Sequence, residues 1–403
     1  MSTSILYHGF GIRGYRYKNS NFREGAIVFT IEKDLFSLRC PCCKSGQVIR
    51  RGTVLRWFHT LPIGRKKIYI ALHIPRVSCK LCGIVQQITI GFADTRRTYT
   101  KSLERYALEL SHYMTIQDVA EHLGLSWDVI KDILKRYLAI HYSHPRLKDL
   151  KLIAIDEISI GKGHRYLTVV LDLLSGAVVF VGDGKGVDAL VPFWKRLKSS
   201  QAKIDAVAMD MSPSYISAVS QNLPKAAIVF DHFHIVKMFN EKLSELRRDL
   251  QREAADSDKE VLKGTRWLLL KNPENLNDTH NEQQRLQSAL ELNKPLAAAY
   301  YLKEDLRQLW FQKDKQTASS FLDDWIARAK SSGVKMLNNF SSTLENHRAG
   351  ILAYYDFPIS TGPLEGTNNK IRTLQKQAYG FRDMPFFKLK IYALHETKYA
   401  LVG

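Results

Sequence analysis

Between residues 152 and 230, short apolar runs alternate with turn signals and amphipathic stretches in an order that few folds accept. Residues 152–155, 166–171 and 177–181 read as three strands, with a Ser175-Gly176 turn between the last two. A helix follows over 187–197, then a strand at 206–209, a helix at 214–222 and a strand at 226–230. Two of these strands end in an acid: Asp156 closes Leu152-Ile153-Ala154-Ile155, and Asp210 closes Ala206-Val207-Ala208-Met209. A buried strand that ends in a carboxylate presents that carboxylate at the sheet edge.

Three strands, a helix, a strand and a helix make the element order of a ribonuclease-H-like α/β fold. In that fold the first strand meets the fourth at the centre of the sheet, so Asp156 and Asp210 come together. A third acid, Glu365, opens a helix-like segment over 364–372, 155 positions beyond Asp210 (365 − 210). That gap is too long for one loop in a compact domain. It carries helical patterning at 236–252, 258–270, 281–292, 296–313 and 317–331. The expectation is an all-helical insertion, 236–344, between core segments 149–235 and 345–403. Two strand ends and one helix gather enough negative charge to hold divalent metal, and carboxylate-bound Mg2+ (or Mn2+) ions activate water for phosphoryl transfer. Taken alone, Glu365 also reads as a first-turn acid favoured by the helix dipole. Glu157 belongs on the other face of its strand, and Asp172 also ends a strand, but one strand over. Asp231-His232-Phe233-His234 resembles a metal cluster, but it reads better as a helix cap, with His232 and His234 in DNA-binding or supporting contact.

Composition points to the substrate. Lys and Arg number 59 against 40 Asp and Glu, a net charge of +19, which calls for a polyanionic partner. Residues 1–100 hold 17 basic and 4 acidic side chains, whereas 101–150 hold 7 of each. A dedicated binding region therefore belongs in the first hundred residues. No apolar run is long enough for a membrane span, and Met1-Ser2-Thr3-Ser4-Ile5-Leu6-Tyr7-His8 lacks a secretion signal. The expected location is the cytosol, where cysteines stay reduced or bind metal.

Four of the five cysteines form two Cys-x-x-Cys pairs, Cys40 with Cys43 and Cys79 with Cys82. Each pair suits a tight knuckle, and four thiolates make a closed Zn2+ site. Cys42 is left outside it. The spacer alternates apolar and basic residues and turns at Pro62-Ile63-Gly64, which predicts a β-hairpin. Arg50, Arg51, Arg56, Arg65, Lys66 and Lys67 on that hairpin are candidate DNA contacts. This basic zinc module is expected over 1–95. A capped helix at 115–123, a Gly124-Leu125 turn and a second helix from Ser126 then make a helix-turn-helix over 96–148. Ser126, Trp127 and Lys131 open its second helix, which would read bases in the major groove.

Together these blocks resemble a bacterial insertion-sequence transposase of the ISL-three family. The resemblance covers nearly the whole chain. It rests on the cysteine pairs, the helix-turn-helix, Ala154-Ile155-Asp156-Glu157, Gly163-His164-Arg165-Tyr166, Asp210-Met211-Ser212-Pro213 and Asp231-His232-Phe233-His234. It continues through Gly362-Pro363-Leu364-Glu365-Gly366-Thr367-Asn368-Asn369-Lys370-Ile371 and Ala378-Tyr379-Gly380-Phe381-Arg382. Ser360-Thr361 stands where the family usually has Asn ahead of the glutamate block. The resemblance implies that Asp156, Asp210 and Glu365 are an acidic triad. The triad would cut double-stranded DNA at terminal inverted repeats and join the freed 3′-hydroxyl to target DNA. Asn368, Asn369, Lys370 and Arg372 would hold phosphates, and a homodimer or larger assembly is expected because two ends must be joined. Two rivals are a transposase-derived DNA-binding regulator without catalysis and a ribonuclease-H-like nuclease without strand transfer.

Overall fold

The computed structural model describes residues 4–161, 163–277 and 280–395. The last stretch of the expected core, 396–403, and the first three residues of the N-terminal segment lie outside them. The chain divides into two compact units, one holding Met1–Ser143 with Thr373–Ala393, the other built on His144–Arg372.

The first unit begins with a short helix, α1 (Ile5–His8), and a sheet of β1 (Tyr15–Arg23), β2 (Ala26–Lys33), β3 (Val48–Ile63), β4 (Lys66–Cys79) and β5 (Val85–Gln87). The order is β1-β2-β4-β3, with β5 on β4. The expected hairpin is β3 and β4. Its turn is possible because Gly64 adopts φ 58°, where a side chain would be strained. One face of this sheet buries Phe58, Ile68, Ile70, Leu72 and Ile74, while the outer half of β3 stays exposed. Strands β1 and β2 had no counterpart in the sequence reading. In β1 the run Lys18-Asn19-Ser20-Asn21 hides the alternation that would betray a strand.

Three helices follow: α2 (Lys101–Leu110), α3 (Ile116–Leu123) and α4 (Trp127–Tyr142). Thr115 and Asp118 form a reciprocal capping box at the start of α3, Gly124 ends it at φ 62°, and Ser126 caps α4 by accepting from the Val129 N–H. The expected boundary between a zinc module at 1–95 and a helix-turn-helix at 96–148 does not divide this unit. His59 donates its N–H to the Thr98 carbonyl at 2.8 Å, the Thr100 N–H returns to the His59 carbonyl at 2.9 Å, and Leu61 packs into the helical core.

The second unit opens with β6 (Leu152–Gly161), β7 (Arg165–Asp172), β8 (Val178–Asp183), α5 (Val187–Ser200), β9 (Ala206–Met209), α6 (Pro213–Asn222) and β10 (Ala227–Phe230). The sheet order is β10-β9-β6-β7-β8, with β6, β9 and β10 parallel and β7 antiparallel to both its neighbours. The first strand thus lies against the fourth, as a ribonuclease-H-like fold requires. One expectation is corrected: Asp156 does not end its strand, since β6 runs on to Gly161. Antiparallel pairing with β7 continues past Asp156, whereas the last parallel pair with β9 is Ala154 with Ala208.

Helices then occupy the chain: α7 (His232–Glu253), α8 (Asp256–Leu262), α9 (Arg266–Leu270), α10 (Glu282–Leu292), α11 (Lys294–Arg307), α12 (Lys315–Ser331), α13 (Lys335–Asn346) and α14 (Arg348–Leu352). The first begins at His232, not near 236, because Asp231 caps it by accepting from the Phe233 N–H. The segment expected as one helix over 258–270 is two, broken by Gly264 at φ 77°. One apolar cluster runs from Ile153, Ile155, Val207 and Met209 of the sheet to Phe239, Trp325 and Phe340 of the helices. Buried Trp325 satisfies its indole N–H on the Leu302 carbonyl at 2.8 Å.

Helix α15 (Gly362–Gln377) carries Glu365, and α16 (Met384–Tyr392) follows. Within the expected core segment 345–403, Thr373–Ala393 packs with the first unit. Phe386, Leu389 and Ala393 pack with Leu103, Val119 and Ile130, so α16 serves as a fourth helix of the helix-turn-helix.

Candidate active site

Side chains alternate faces along a strand, and β6 uses both. Glu157 lies on the side of Tyr215 on α6, whose phenol is raised chiefly by burial, with the Glu157 carboxylate adding to the rise. Asp156 turns the other way, toward α15. Its Oδ1 accepts from the Glu157 N–H at 2.8 Å, and its Oδ2 accepts from Asn368 Nδ2 at 2.8 Å. Burial pushes the Asp156 carboxyl up to about 6; the Glu157 N–H and the charge of His234 oppose the rise, and the Asp210 and Glu157 carboxylates add to it.

Asp210 follows the last residue of β9 and accepts the Ser212 N–H at 3.0 Å. Glu365 sits in the first turn of α15 with its side chain exposed and its N–H on the Thr361 carbonyl at 2.8 Å. Leu364, Asn368 and Ile371 are buried at helical spacing, so one stripe of α15 faces inward. Glu365 and Asn368 are one helical turn apart and share a side of the helix. The Asn368–Asp156 hydrogen bond therefore ties the helix of the third acid to the strand of the first across 212 positions.

The residues between support this arrangement. Asp231 is 3% exposed, caps α7, and accepts from Thr361 Oγ1 just ahead of α15. His232 Nδ1 and His234 Nε2 lie 3.4 and 3.9 Å from its two oxygens. Neither Asn368 nor Thr361 was legible as a structural tie. Asn368 was expected on phosphate, but it is 2% exposed with its amide committed to Asp156. Asn369, Lys370 and Arg372 remain exposed, with Arg372 donating to Asn369.

Among the described residues, Cys40, Cys43, Cys79 and Cys82 are the one group of three or more His, Cys, Asp or Glu side chains whose ligand atoms all lie within 4.8 Å. Sulphurs of Cys40 and Cys82 are 3.6 Å apart, those of Cys43 and Cys79 3.5 Å. Four thiolates around one zinc at about 2.3 Å have neighbours at about 3.8 Å, so this cluster fits the ion. The Cys82 N–H directed at the Cys79 sulphur outweighs burial and, with the Leu81 N–H, holds that thiol down at about 6. Cys42 is exposed and outside the cluster. The oxygens of Asp156, Asp210 and Glu365 do not all come that close. Two-metal sites need no such closeness, since their ions stand about 3.5–4 Å apart and divide the ligands. Asn368 Oδ1 is buried without a partner beside Asp156. An unsatisfied acceptor and a carboxylate held back from ionising fit a hard cation and its water.

The DNA-contact candidates divide. Arg50, Arg51, Arg65, Lys66 and Lys67 are exposed, Lys67 with its stem against Gly124. Arg56 is half-buried, donating to the Arg97 carbonyl at 2.7 Å with its guanidinium over Phe58. Ser126 spends its hydroxyl as the α4 cap, and Trp127 is 43% exposed. Lys131 is turned inward, paired with Asp383 at 3.1 Å and lying over the Trp127 ring.

A ribonuclease-H-like core that holds carboxylates, carried on a chain with a helix-turn-helix, has the make-up of a DNA transposase. Residues 153–391 match the DDE transposase family of type ISL3, and residues 88–138 match the helix-turn-helix domain of transposase family ISL3. The chain is 32% identical to the transposase for insertion sequence element IS1001 of Bordetella parapertussis, over 96% of this chain and 95% of that one. It is 29% identical to the transposase for IS1557 of Mycobacterium tuberculosis, over 92% and 89%. The Drosophila P element transposase strand transfer complex is similar at a TM-score of 0.39 and 11% identity over 76% and 94% of the two chains, too loosely to carry any residue across. The chain belongs to transposase family ISL3. It is a metal-dependent enzyme that cuts DNA and transfers strands. No helix among the described residues is long and apolar enough to cross a membrane.

Proposed function

We propose that Asp156, Asp210 and Glu365 are the catalytic triad and hold Mg2+ or Mn2+. The observation that carries this reading is the Asn368–Asp156 hydrogen bond, which joins the helix of Glu365 to β6. Divalent ions there supply Lewis acidity for both the attacking and the leaving oxygen. Asp156 and Asp210 contribute ligand oxygens from adjacent strands, and Glu365 contributes one from the helix. Asn368 holds one oxygen of Asp156, leaving the carboxylate a single orientation. His234 adds nearby positive character when protonated, and Asp231, through Thr361, fixes the entry into α15. In this frame water breaks a phosphodiester at the element's terminal inverted repeats. The freed 3′-hydroxyl then attacks a target phosphodiester and displaces its 3′-oxygen.

Helices α7–α14 act as the insertion between the second and third acids. The four cysteines hold Zn2+ and stiffen the basic hairpin, whose exposed Arg50, Arg51, Arg65, Lys66 and Lys67 contact the repeat backbone. The enzyme works in the bacterial cytoplasm, at the nucleoid, as a homodimer or larger assembly that joins two ends. Single changes Asp156→Ala, Asp210→Ala and Glu365→Ala should each abolish Mg2+-dependent cutting of a labelled repeat while leaving its binding within about twofold. Asn368→Ala should slow cutting at least about tenfold at unchanged binding, about 1.4 kcal/mol of lost positioning. Full cutting by any triad variant removes that residue from the triad. Native mass spectrometry should find one zinc per chain, lost in Cys79→Ser.

A further inference from the structure

The block Ala378-Tyr379-Gly380-Phe381-Arg382 has no role in the chemistry above, yet it forms one wall of a cleft in the first unit. The cleft holds about 670 Å3 and lies among α3, the start of α4, this loop and α16. That is ample for one nucleotide, by the usual range of about 300–1,000 Å3 for ligand sites. Ile116, Phe381 and Phe386 give it apolar walls, and Trp127 stands at its side. Tyr379 is fully exposed, held outward by a turn in which it adopts φ 50° and Gly380 φ 96°.

One polar group in the cleft is unaccounted for. Lys390 of α16 is 9% exposed; among the described residues its Nζ makes no hydrogen bond or ion pair, and it keeps a small opening into the cleft. Its nearest charge-related contact is the Phe386 ring, 5.8 Å away. Burial pushes its ammonium down to about 8. An ammonium that is mostly desolvated but still open to the cleft, with no protein counter-charge, is placed to take a ligand's anion. The only acid lining the cleft, Asp383, is already paired with Lys131 and Lys135. Arg382 and Lys390 then leave the cleft cationic.

Aromatic faces beside a recessed cation are the chemistry that receives a base together with its phosphate. Duplex phosphates need only surface charge, and the concave apolar wall would be wasted on them. We propose that this cleft binds one unstacked nucleotide of the DNA substrate, its base on Trp127, Tyr379 or Phe381 and its phosphate on Lys390. The inference rests on DNA as substrate and is independent of the triad.

The test is fluorescence anisotropy of the full chain without divalent metal, on a 20-nucleotide oligothymidylate and on a blunt 20-base-pair duplex. Lys390→Met and Tyr379→Ala should each weaken single-strand binding about tenfold, within the ~1–3 kcal/mol of one stacked base, and change duplex binding less than about twofold. The proposal is overturned by single-strand binding that is absent or is unchanged in both variants, or by an equal loss on duplex. Should Lys390→Met fail to fold, Tyr379→Ala, Trp127→Ala and Phe381→Ala together decide the matter: a selective loss of single-strand binding in at least one supports the proposal, and a loss in none overturns it. A wrong triad assignment would leave both arms of this experiment untouched.

Discussion

Asp156 shows how one side chain records the needs of a site that the local sequence does not express. Its neighbours Ile155 and Glu157 say only that a strand passes. Burial and the nearby carboxylates raise its pKa to about 6 from an ordinary 3.8. The folded state therefore binds the proton more tightly than the unfolded chain, and the metal-free protein loses stability as pH rises from about 4 to about 6. Asp156→Asn removes that penalty, at most about 3 kcal/mol at neutral pH. It also offers an amide donor to the orphaned Asn368 Oδ1. Thermal melts at pH 7 without metal should place Asp156→Asn above wild type although it is inactive, and the difference should vanish near pH 4. A variant that melts lower at pH 7 would contradict the assigned cause.

At the scale of elements, caps and turns were open to direct reading, and the partners of helices were not. Thr115, Gly124 and Ser126 announce α3 and α4 because each acts within four residues of itself. Nothing near Met384–Tyr392 announces that this helix completes the helix-turn-helix. The link is Asp383, which caps α16 and receives Lys131 and Lys135 from α4. Burial alone would raise Asp383, but Lys135, the Phe386 N–H and Lys131 together hold it down at about 2. Its contribution to stability is complete above the unfolded value near 4 and is lost as pH falls toward 2. Melting followed from pH 5 to pH 2 should show an acid-dependent loss that is smaller in Asp383→Asn. Identical acid profiles would mean that the lysine pairs contribute nothing.

For the whole molecule, the +19 charge and its concentration in the first hundred residues point to DNA before any fold is known. Exposed Arg50 and Arg51 on β3 give that charge a location. Affinity for a repeat duplex should fall linearly with the logarithm of salt concentration, and removing both arginines should flatten the slope by about 2. An unchanged slope would move the phosphate contacts elsewhere. What the sequence by itself determined is short-ranged: strand order in the core, capped helices, two cysteine pairs, and three acids beside recognisable blocks. Periodicity, capping and knuckle spacing are set by neighbours a few residues away, so they survive in a linear reading. Tertiary structure alone decided that β6 continues beyond Asp156, that Asn368 is buried on Asp156, that residues 373–393 join the first unit, and that Lys390 has no counter-charge among the described residues. Each of those depends on side chains brought together from distant positions by packing, and packing has no period along the chain.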